Sequence, residues 1–464
     1  MSSGNIPTEL GTQRIGALLR KYAIPGIIAM TASSLYNLVD SIFIGRMPGT
    51  GSLALSGLAI SFPLMNISAA LGTLVGVGAA TMVSVLLGQK RYATASRVLA
   101  NEVALNILIG LLFTAVTLIW MDPILRAFGA SDNTLPFARD YMVVISIGNT
   151  FTHLYFGLNA LIRASGNPKL AMGLTLFTVT SNAILDPVFI YVLGLGIKGA
   201  AIATVLCQML ALSYSLAYFC HPNRFMRLLP GNILRLDWKI AGDSLKIGMG
   251  PFLMNLASCI VALFVNNQLV KYGGDLAIGA YGIVNRIGFI FIMVCLGLNQ
   301  GMQPIAGYNY GARLYSRVKK VYLRTALWAT LVCTVGFLIS ELMPGLAVRA
   351  FTNDPEMIAL SRRGLRLVNC LFPVIGFQMV ASNLFQCLGM VRKSIIMSLS
   401  RQLLFLVPCL YLLPLPLAQD GVWISFPISD ALAAILAAVL IVRLFHKFSR
   451  LADGDDPAIL GSTL

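Results

Sequence analysis

Long apolar runs recur along the whole chain, separated by short polar breaks. Roughly 20 apolar residues, at about 1.5 Å rise per residue in a helix, cross the hydrocarbon core of a bilayer. Only 11% of the 464 residues are charged, against about 25% in a typical soluble domain. The sequence therefore predicts an all-α integral membrane protein. The twelve predicted spans lie near residues 20–45, 53–87, 99–121, 138–162, 170–193, 199–219, 246–270, 276–306, 325–345, 364–388, 394–416 and 421–445.

The two halves of the chain resemble each other at an offset of about 223 residues, which indicates an internal repeat. Leu53–Ile60 resembles Leu276–Ile283, and Gly88 stands before a short basic turn as Gly311 does. The repeated unit holds six spans. Because six is even, the two copies have the same orientation and are related by a pseudo-two-fold axis along the membrane normal. We expect two six-helix lobes with a central cavity between them.

The distribution of basic residues predicts the orientation. About 24 of the 34 Lys and Arg lie in alternate loops, beginning with the N-terminus, which the positive-inside rule places in the cytoplasm. The net charge of +16 is spread over these loops rather than gathered on one domain, so no nucleic-acid partner is predicted. The predicted segments are a cytoplasmic N-terminal segment (1–19), an N-lobe (20–220), a cytoplasmic linker (221–245), a C-lobe (246–446) and a cytoplasmic tail (447–464).

One carboxylate lies in the first span, within Ile24–Gly45. Asp40 is about four residues inside the outer end of this helix, where an ionisable group costs several kcal/mol unless it has a partner or a water-filled cavity. Asp186 lies near the outer end of span five, with Asn182 one helical turn away on the same face. Thr204 reaches a similar depth in span six. These oxygens suit a bound Na⁺ or a shared proton, although such groups can also serve only to bond neighbouring helices.

Other polar residues in the spans have open roles. Tyr36 and Asn37 extend the polar face of span one. Asp430 in span twelve is either a second cation or drug contact or a carboxylate satisfied by Arg286 or Arg401. Arg286 is predicted to be the one deep cation. The remaining acids within the spans, Glu102 and Glu341, are expected near span ends, where water reaches them. The eight isolated cysteines are interpreted as small core residues rather than disulfide or metal ligands.

Four segments carry a family resemblance: Asn37–Gly45, Gly88–Arg91, Arg163–Lys169 and Asn182–Pro187. On twelve spans in two halves, they resemble the multidrug and toxic compound extrusion (MATE) family, in its DinF-like and MepA-like branch, from about residue 14 to 447. The resemblance implies a cation-coupling site for H⁺ or Na⁺ and a bend of span one at Pro25. The implied coupling residues are Asp40, Asn182, Asp186 and Thr204. The NorM-like branch also carries acids in spans seven and ten, which have none here, so coupling is expected in the N-lobe.

These observations predict a secondary antiporter that exports amphipathic or cationic small molecules in exchange for H⁺ or Na⁺ by alternating access. We expect it in a bacterial-type inner membrane, as a monomer, with no cofactor. A lipid-linked oligosaccharide flippase of the same superfamily is the alternative, although a single deep cation disfavours a basic cavity. The chain has no HExxH, GxSxG or phosphate-binding loop motif, so an enzyme is not expected. A channel is disfavoured by the duplicated halves.

Overall fold

The computed structural model of the chain describes residues 6–233 and 235–455, without the side chains of residues 37, 38, 230 and 275. Every regular element in this part is helical. The helices are α1 (Glu9–Thr12), α2 (Ile15–Gly45), α3 (Gly51–Gly88), α4 (Tyr92–Ile119), α5 (Met121–Ala127), α6 (Leu135–Ala164), α7 (Pro168–Pro187), α8 (Ile197–Cys220), α9 (Pro230–Ile233), α10 (Trp238–Gly311), α11 (Tyr315–Leu342), α12 (Pro344–Arg349), α13 (Pro355–Asn369), α14 (Phe372–Cys387), α15 (Val391–Leu399), α16 (Val407–Leu412) and α17 (Pro414–Phe448).

The helices confirm the twelve predicted spans. Within the described residues, ten helical segments are long and apolar enough to cross a membrane, counting the two parts of α10 on either side of Gly274 separately. The pair α13 and α14, bent by 49°, forms an eleventh span. Helix α6 is less apolar, but its 30 residues make it about 45 Å long, enough to cross as the twelfth. The chain is a multi-pass membrane protein of the predicted all-α class.

The helices form two compact units. Unit 1 contains the described residues up to Leu10 and Ile28–Phe252, and unit 2 contains Gly11–Ile27 and the described residues from Leu253 onwards. Helix α2 is therefore shared, because its first part packs in unit 2 and the rest in unit 1. The change between units falls two residues after Pro25, the single proline inside α2.

Unit 1 is built around α3, which packs against both α6 and α4. Small residues allow the backbones to approach closely, as in many membrane bundles. A Cβ atom on Gly76 of α3 would lie 2.8 Å from the Cα of Gly157 on α6, so neither position has room for a larger side chain. This close contact brings the polar side chains of α3, α4 and α6 within reach of one another.

In unit 2, α14 packs against α11 and α17. A Cβ atom on Gly376 of α14 would lie 2.5 Å from the backbone oxygen of Ala329 on α11. The buried indole of Trp423 fills the core beside α13, where it would lie only 3.1 Å from a Cβ atom on Gly364. The first part of α2 packs into this unit through Ala23, which lies against Gly301.

Each unit contains one π-helical turn in a membrane span. Val188–Val192 follows Pro187 at the end of α7, and Ser400–Leu406 joins α15 to α16. A π-helical turn holds more residues than an α-helical turn, so it rotates the side chains that follow it and is frequent at functional sites. These two turns belong to spans five and eleven, which correspond in the repeat.

The cysteines differ in exposure, and two of the eight are not the core residues that the sequence predicted. Cys207, Cys295, Cys333 and Cys387 are buried, and Cys259 and Cys409 are partly exposed. Cys220, at the end of α8, and Cys370, at the break between α13 and α14, are exposed. They are not core residues, because each stands where a helix ends.

Candidate functional site: a pair of carboxyl groups in unit 1

Three helices of unit 1 bring the four predicted coupling residues together. Asp40 is on α2, Asn182 and Asp186 are on α7, and Thr204 is on α8. The Asn182 amide donates to Asp186 Oδ1 at 3.1 Å and to Thr204 Oγ1 at 3.2 Å. We call these four residues the carboxyl site.

The carboxyl groups of Asp40 and Asp186 are close enough to interact electrostatically. Both side chains are buried, and no cationic side chain among the described residues forms an ion pair with either of them. Two carboxylates so close repel each other strongly unless a proton or a cation lies between them. A proton or a cation bound at the pair would therefore stabilise it.

Three oxygens of the site have no hydrogen-bond partner among the described residues: Asp40 Oδ1, Asn182 Oδ1 and Asp186 Oδ2. A buried acceptor without a donor costs about 1–3 kcal/mol. Carboxylate, amide and hydroxyl oxygens are the ligands that hard cations prefer. The free oxygens therefore fit a small cation or a proton.

Two tyrosines support the site. The Tyr36 hydroxyl on α2 lies 2.8 Å from Thr204 Oγ1 on α8, so it links the two helices beside the carboxyl groups. The Tyr191 hydroxyl, in the π-helical turn after α7, donates to the backbone oxygen of Phe43 at 2.5 Å. Asn37, which the sequence placed on the same polar face, has its side chain outside the described part of the chain.

In unit 2 the buried acid has a different partner. Arg401 Nε donates to Asp430 Oδ1 at 2.6 Å, and the Ser429 hydroxyl donates to the backbone oxygen of Arg401 at 2.5 Å. Asp430 is 4% exposed and the Arg401 side chain 25%. Arg286, in contrast, is exposed. The expectation that Arg286 is the one cation deep in the spans is therefore wrong in its count, because Arg401 also lies within a span, in the π-helical turn of span eleven, and balances Asp430.

The expectation that water reaches Glu102 is also wrong. Helix α4 begins at Tyr92, several residues before the predicted span, so Glu102 is its eleventh residue. Its side chain is 1% exposed and lies under Gly157 of α6. Its spacing from Asn106, one turn further along the same helix, was a signal of a polar face that the sequence interpretation did not use. Glu341, with its side chain 34% exposed beside Arg366, lies at a span end as expected.

A family model for MatE matches residues 25–188 and 247–412, once in each half of the chain. The chain belongs to the MatE family. The first matched segment contains Asp40, Asn182 and Asp186, and the second contains Arg401 but ends before Asp430. The second match, in the second half, accounts for the internal repeat seen in the sequence.

The relatives of this MatE chain include multidrug export proteins. It is 27% identical over 431 residues to the multidrug export protein MepA of Staphylococcus haemolyticus strain JCSC1435, and 29% identical over 428 residues to MepA of Staphylococcus aureus strain MSSA476. Each alignment covers 92% of this chain and 93% of the relative. The outward-facing structure of a multidrug resistance MATE family transporter of the MOP superfamily matches with a TM-score of 0.89. That match covers 97% of this chain and 100% of the other at 23% identity, which shows a shared fold.

Proposed function

We propose that the chain is a secondary active antiporter that exports amphipathic or cationic compounds as H⁺ or Na⁺ enters the cell. The observation that carries the proposal is the pair of buried carboxyl groups, Asp40 and Asp186, at one site with no cationic side chain paired to them among the described residues. The curated relatives bear the name multidrug export protein, which supports the class of substrate.

The need of this pair for positive charge gives the exchange a physical basis. A proton or Na⁺ that neutralises Asp40 and Asp186 removes the repulsion between them and stabilises the arrangement of α2, α7 and α8 that binds it best. A cationic substrate is attracted by the same negative charge when the site is not neutralised. Loading the coupling ion therefore weakens the binding of the substrate, and each drives the release of the other.

The roles of the other residues of the site depend on which ion couples transport. If Na⁺ couples transport, Asn182 and Thr204 would hold it together with the two carboxylates, since both offer oxygens at the same place. If H⁺ couples transport, the two carboxyl groups suffice and Asn182 orients Asp186 through its 3.1 Å hydrogen bond. Tyr36 keeps α2 against α8 in either case.

The hinge of the transport cycle is proposed at Pro25. A proline within a helix lacks one backbone hydrogen bond, so the helix bends more easily there. Helix α2 passes from unit 2 to unit 1 between Ile27 and Ile28, just beyond this residue. A bend at Pro25 would move the part of α2 that carries Asp40 without disturbing the part packed in unit 2. We place the protein in a bacterial-type inner membrane, as a monomer with both termini in the cytoplasm.

The experiment is efflux of a fluorescent cation from proteoliposomes under separately imposed Na⁺ and H⁺ gradients. We expect one gradient to drive efflux in the unmodified protein. Asp40→Asn and Asp186→Asn should each reduce this driven efflux by at least about 100-fold, since each removes half of the charge that distinguishes the loaded from the unloaded state. The gradient that works identifies the coupling ion.

Asp132→Asn is the matched control, because Asp132 is an exposed acid of unit 1 with 87% of its side chain accessible and a surface ion pair to Arg126. It should transport like the unmodified protein. Full ion-driven efflux in both Asp40→Asn and Asp186→Asn would refute coupling through the carboxyl site. If neither gradient drives efflux in the unmodified protein, the proposal of an antiporter is refuted.

A further inference from the structure

A second group of buried polar side chains lies in unit 1, apart from the carboxyl site. It is formed by α3, α4 and α6, whereas the carboxyl site is formed by α2, α7 and α8. We call it the Glu102 cluster, and its members are Ser68, Glu102, Asn106, Asn149 and His153. All five side chains are buried, with Glu102 1% and His153 0% exposed.

The members of the cluster are spaced by one helical turn on α4 and on α6. Glu102 and Asn106 are four residues apart on α4, and Asn149 and His153 are four apart on α6. Gly157, the next residue of that face of α6, is covered by the Glu102 carboxyl and the Asn106 amide, so a Cβ atom there would overlap both. His153 in turn covers Gly72 of α3.

Glu102 has an incomplete set of partners. The Asn106 amide donates to Glu102 Oε1, and Oε2 has no hydrogen-bond partner among the described residues. Within that part of the chain, Glu102 has no ion pair with any Lys, Arg or His. An ionised carboxylate at such a place costs several kcal/mol, so the group is expected to hold a proton on Oε2.

The hydrogen bonds of Ser68 define the tautomer of His153. The single hydroxyl hydrogen of Ser68 is donated to Asn149 Oδ1, so Ser68 Oγ can only accept from His153 Nε2, 3.1 Å away. With the Asn149 amide in this orientation, the imidazole hydrogen is on Nε2 and Nδ1 carries a lone pair. Nδ1 has no partner among the described residues, and neither does the acceptor Asn106 Oδ1. The Asn149 amide nitrogen also has no partner there, so the cluster holds two donors, Glu102 Oε2–H and Asn149 Nδ2, and two acceptors without partners.

The other titratable groups near Glu102 have partners or positions of their own, and Asp237, beside Asn101, accepts from the backbone N–H groups of Lys239 and Ile240. Helix α3 contains no titratable side chain. On α6, the Tyr155 hydroxyl lies 3.5 Å from Thr175 Oγ1 of α7, and Arg163 lies almost three turns beyond His153. Arg97 of α4 is exposed, and Asp243 and Lys246 of α10 pair with each other at the surface. His153 is therefore the one titratable group in the cluster that can exchange a proton with Glu102.

We infer that the Glu102 cluster is a second proton-binding site, in which Glu102 stores a proton and passes it to His153 Nδ1 through bound water. In this step the Oε2–H bond breaks, an Nδ1–H bond forms, and the charges created are one carboxylate and one imidazolium. Both residues lie about 15 Å from the helix ends that the proposed topology places in the cytoplasm. The site would release protons to the cytoplasm after they leave Asp40 and Asp186, and this role rests on the proposed function with H⁺ as the coupling ion.

The first test is independent of transport. Difference infrared spectroscopy of the purified protein over a pH titration should show the carbonyl band of a protonated carboxyl group that is absent in Glu102→Gln. His153→Gln should shift that band, because it replaces the free Nδ1 by an amide. Glu341→Gln, at a partly exposed acid paired with Arg366, is the matched control and should leave the band unchanged. A band that persists unchanged in Glu102→Gln would overturn the inference.

The second test is transport under an imposed H⁺ gradient. Glu102→Gln should slow efflux by at least about tenfold, because a positioned proton carrier is lost, and should remove its dependence on cytoplasmic pH. Glu102→Asp, which keeps the proton on a shorter side chain, should restore that dependence in part. Normal pH dependence in Glu102→Gln, together with the loss of efflux in Asp40→Asn, would overturn the relay and leave the antiporter intact. If the unmodified protein shows no ion-driven efflux, the infrared measurement alone decides whether Glu102 binds a proton.

Discussion

The two units handle buried charge in opposite ways. In unit 1, Asp40 and Asp186 face each other without a cation, and three oxygens of the site remain without partners among the described residues. In unit 2, Asp430 is matched by Arg401 at 2.6 Å. Both arrangements lie beside a π-helical turn in corresponding spans of the repeat. The comparison shows that the two halves of a duplicated fold can treat a buried acid differently. One half leaves its carboxyl groups free for a cation from outside the protein, and the other neutralises its carboxylate with an arginine of its own.

A charge that is satisfied internally should matter for stability, whereas a charge that awaits a ligand should matter for transport. In unit 2, removing one partner leaves a buried charge uncompensated. In unit 1, removing one carboxyl group relieves repulsion and should leave stability unchanged or improved. Variants of the two sites can therefore be compared in the same pair of measurements, thermal unfolding in detergent and efflux from proteoliposomes.

The largest effect on stability is expected for Arg401→Met. It leaves the Asp430 carboxylate buried without its partner, so the free energy of unfolding should fall by about 3–5 kcal/mol. Measurement of the unfolding midpoint in detergent tests this. The double variant Arg401→Met with Asp430→Leu should recover most of the loss, because an apolar pair of similar volume needs no charge compensation. Equal destabilisation by the single and double variants would contradict the comparison.

An intermediate effect is expected where the two units share a helix. Pro25→Ala restores a backbone donor to α2, so the helix should bend less readily and efflux should slow by about tenfold. Binding of the coupling ion to the carboxyl site should not change, because Pro25 packs in unit 2 and Asp40 in unit 1. Ion affinity and efflux rate, measured on the same preparation, separate the two. A parallel loss of both would show that Pro25 acts on the site directly.

The smallest effect is expected for Tyr36→Phe. It removes the 2.8 Å hydrogen bond to Thr204, which is worth about 1 kcal/mol. The coupling ion should bind about fivefold more weakly, as read from the ion concentration that gives half-maximal efflux. Ser258→Ala is the control in unit 2, because it removes the 2.8 Å hydrogen bond from Gln402 and should leave that concentration unchanged. A shift in the control alone would reverse the assignment of the coupling unit.

Much of the fold follows from the sequence, because the length and apolarity of a span are local properties. The carboxyl site was also predictable in outline. Asp40 and Asp186 each lie near the end of an apolar run, and the alternation of spans places both ends on one side of the membrane. The structure brings these two residues to one site with Asn182 and Thr204.

Two features could not be predicted, for two physical reasons. The burial of Glu102 depends on where α4 begins. The first turns of α4 are polar, so a search for apolar runs places the start of this helix too late. The choice of Arg401 over Arg286 as the partner of Asp430 depends on the rotation of span eleven about its axis. The π-helical turn Ser400–Leu406 changes that rotation, and sequence periodicity for an α-helix does not include such a turn.

The exposed thiol of Cys220 allows the proposed membrane orientation to be tested by chemical labelling. It ends α8 immediately before the polar linker, whereas the other exposed thiol, Cys370, interrupts the bent span formed by α13 and α14. A reagent that cannot cross the bilayer would modify Cys220 from one face of a sealed vesicle only. Inverted and right-side-out vesicles would then report which compartment the linker occupies, and Cys220→Ser would show how much labelling Cys370 contributes. One native side chain thus allows the protein's sidedness to be mapped without tags or inserted epitopes.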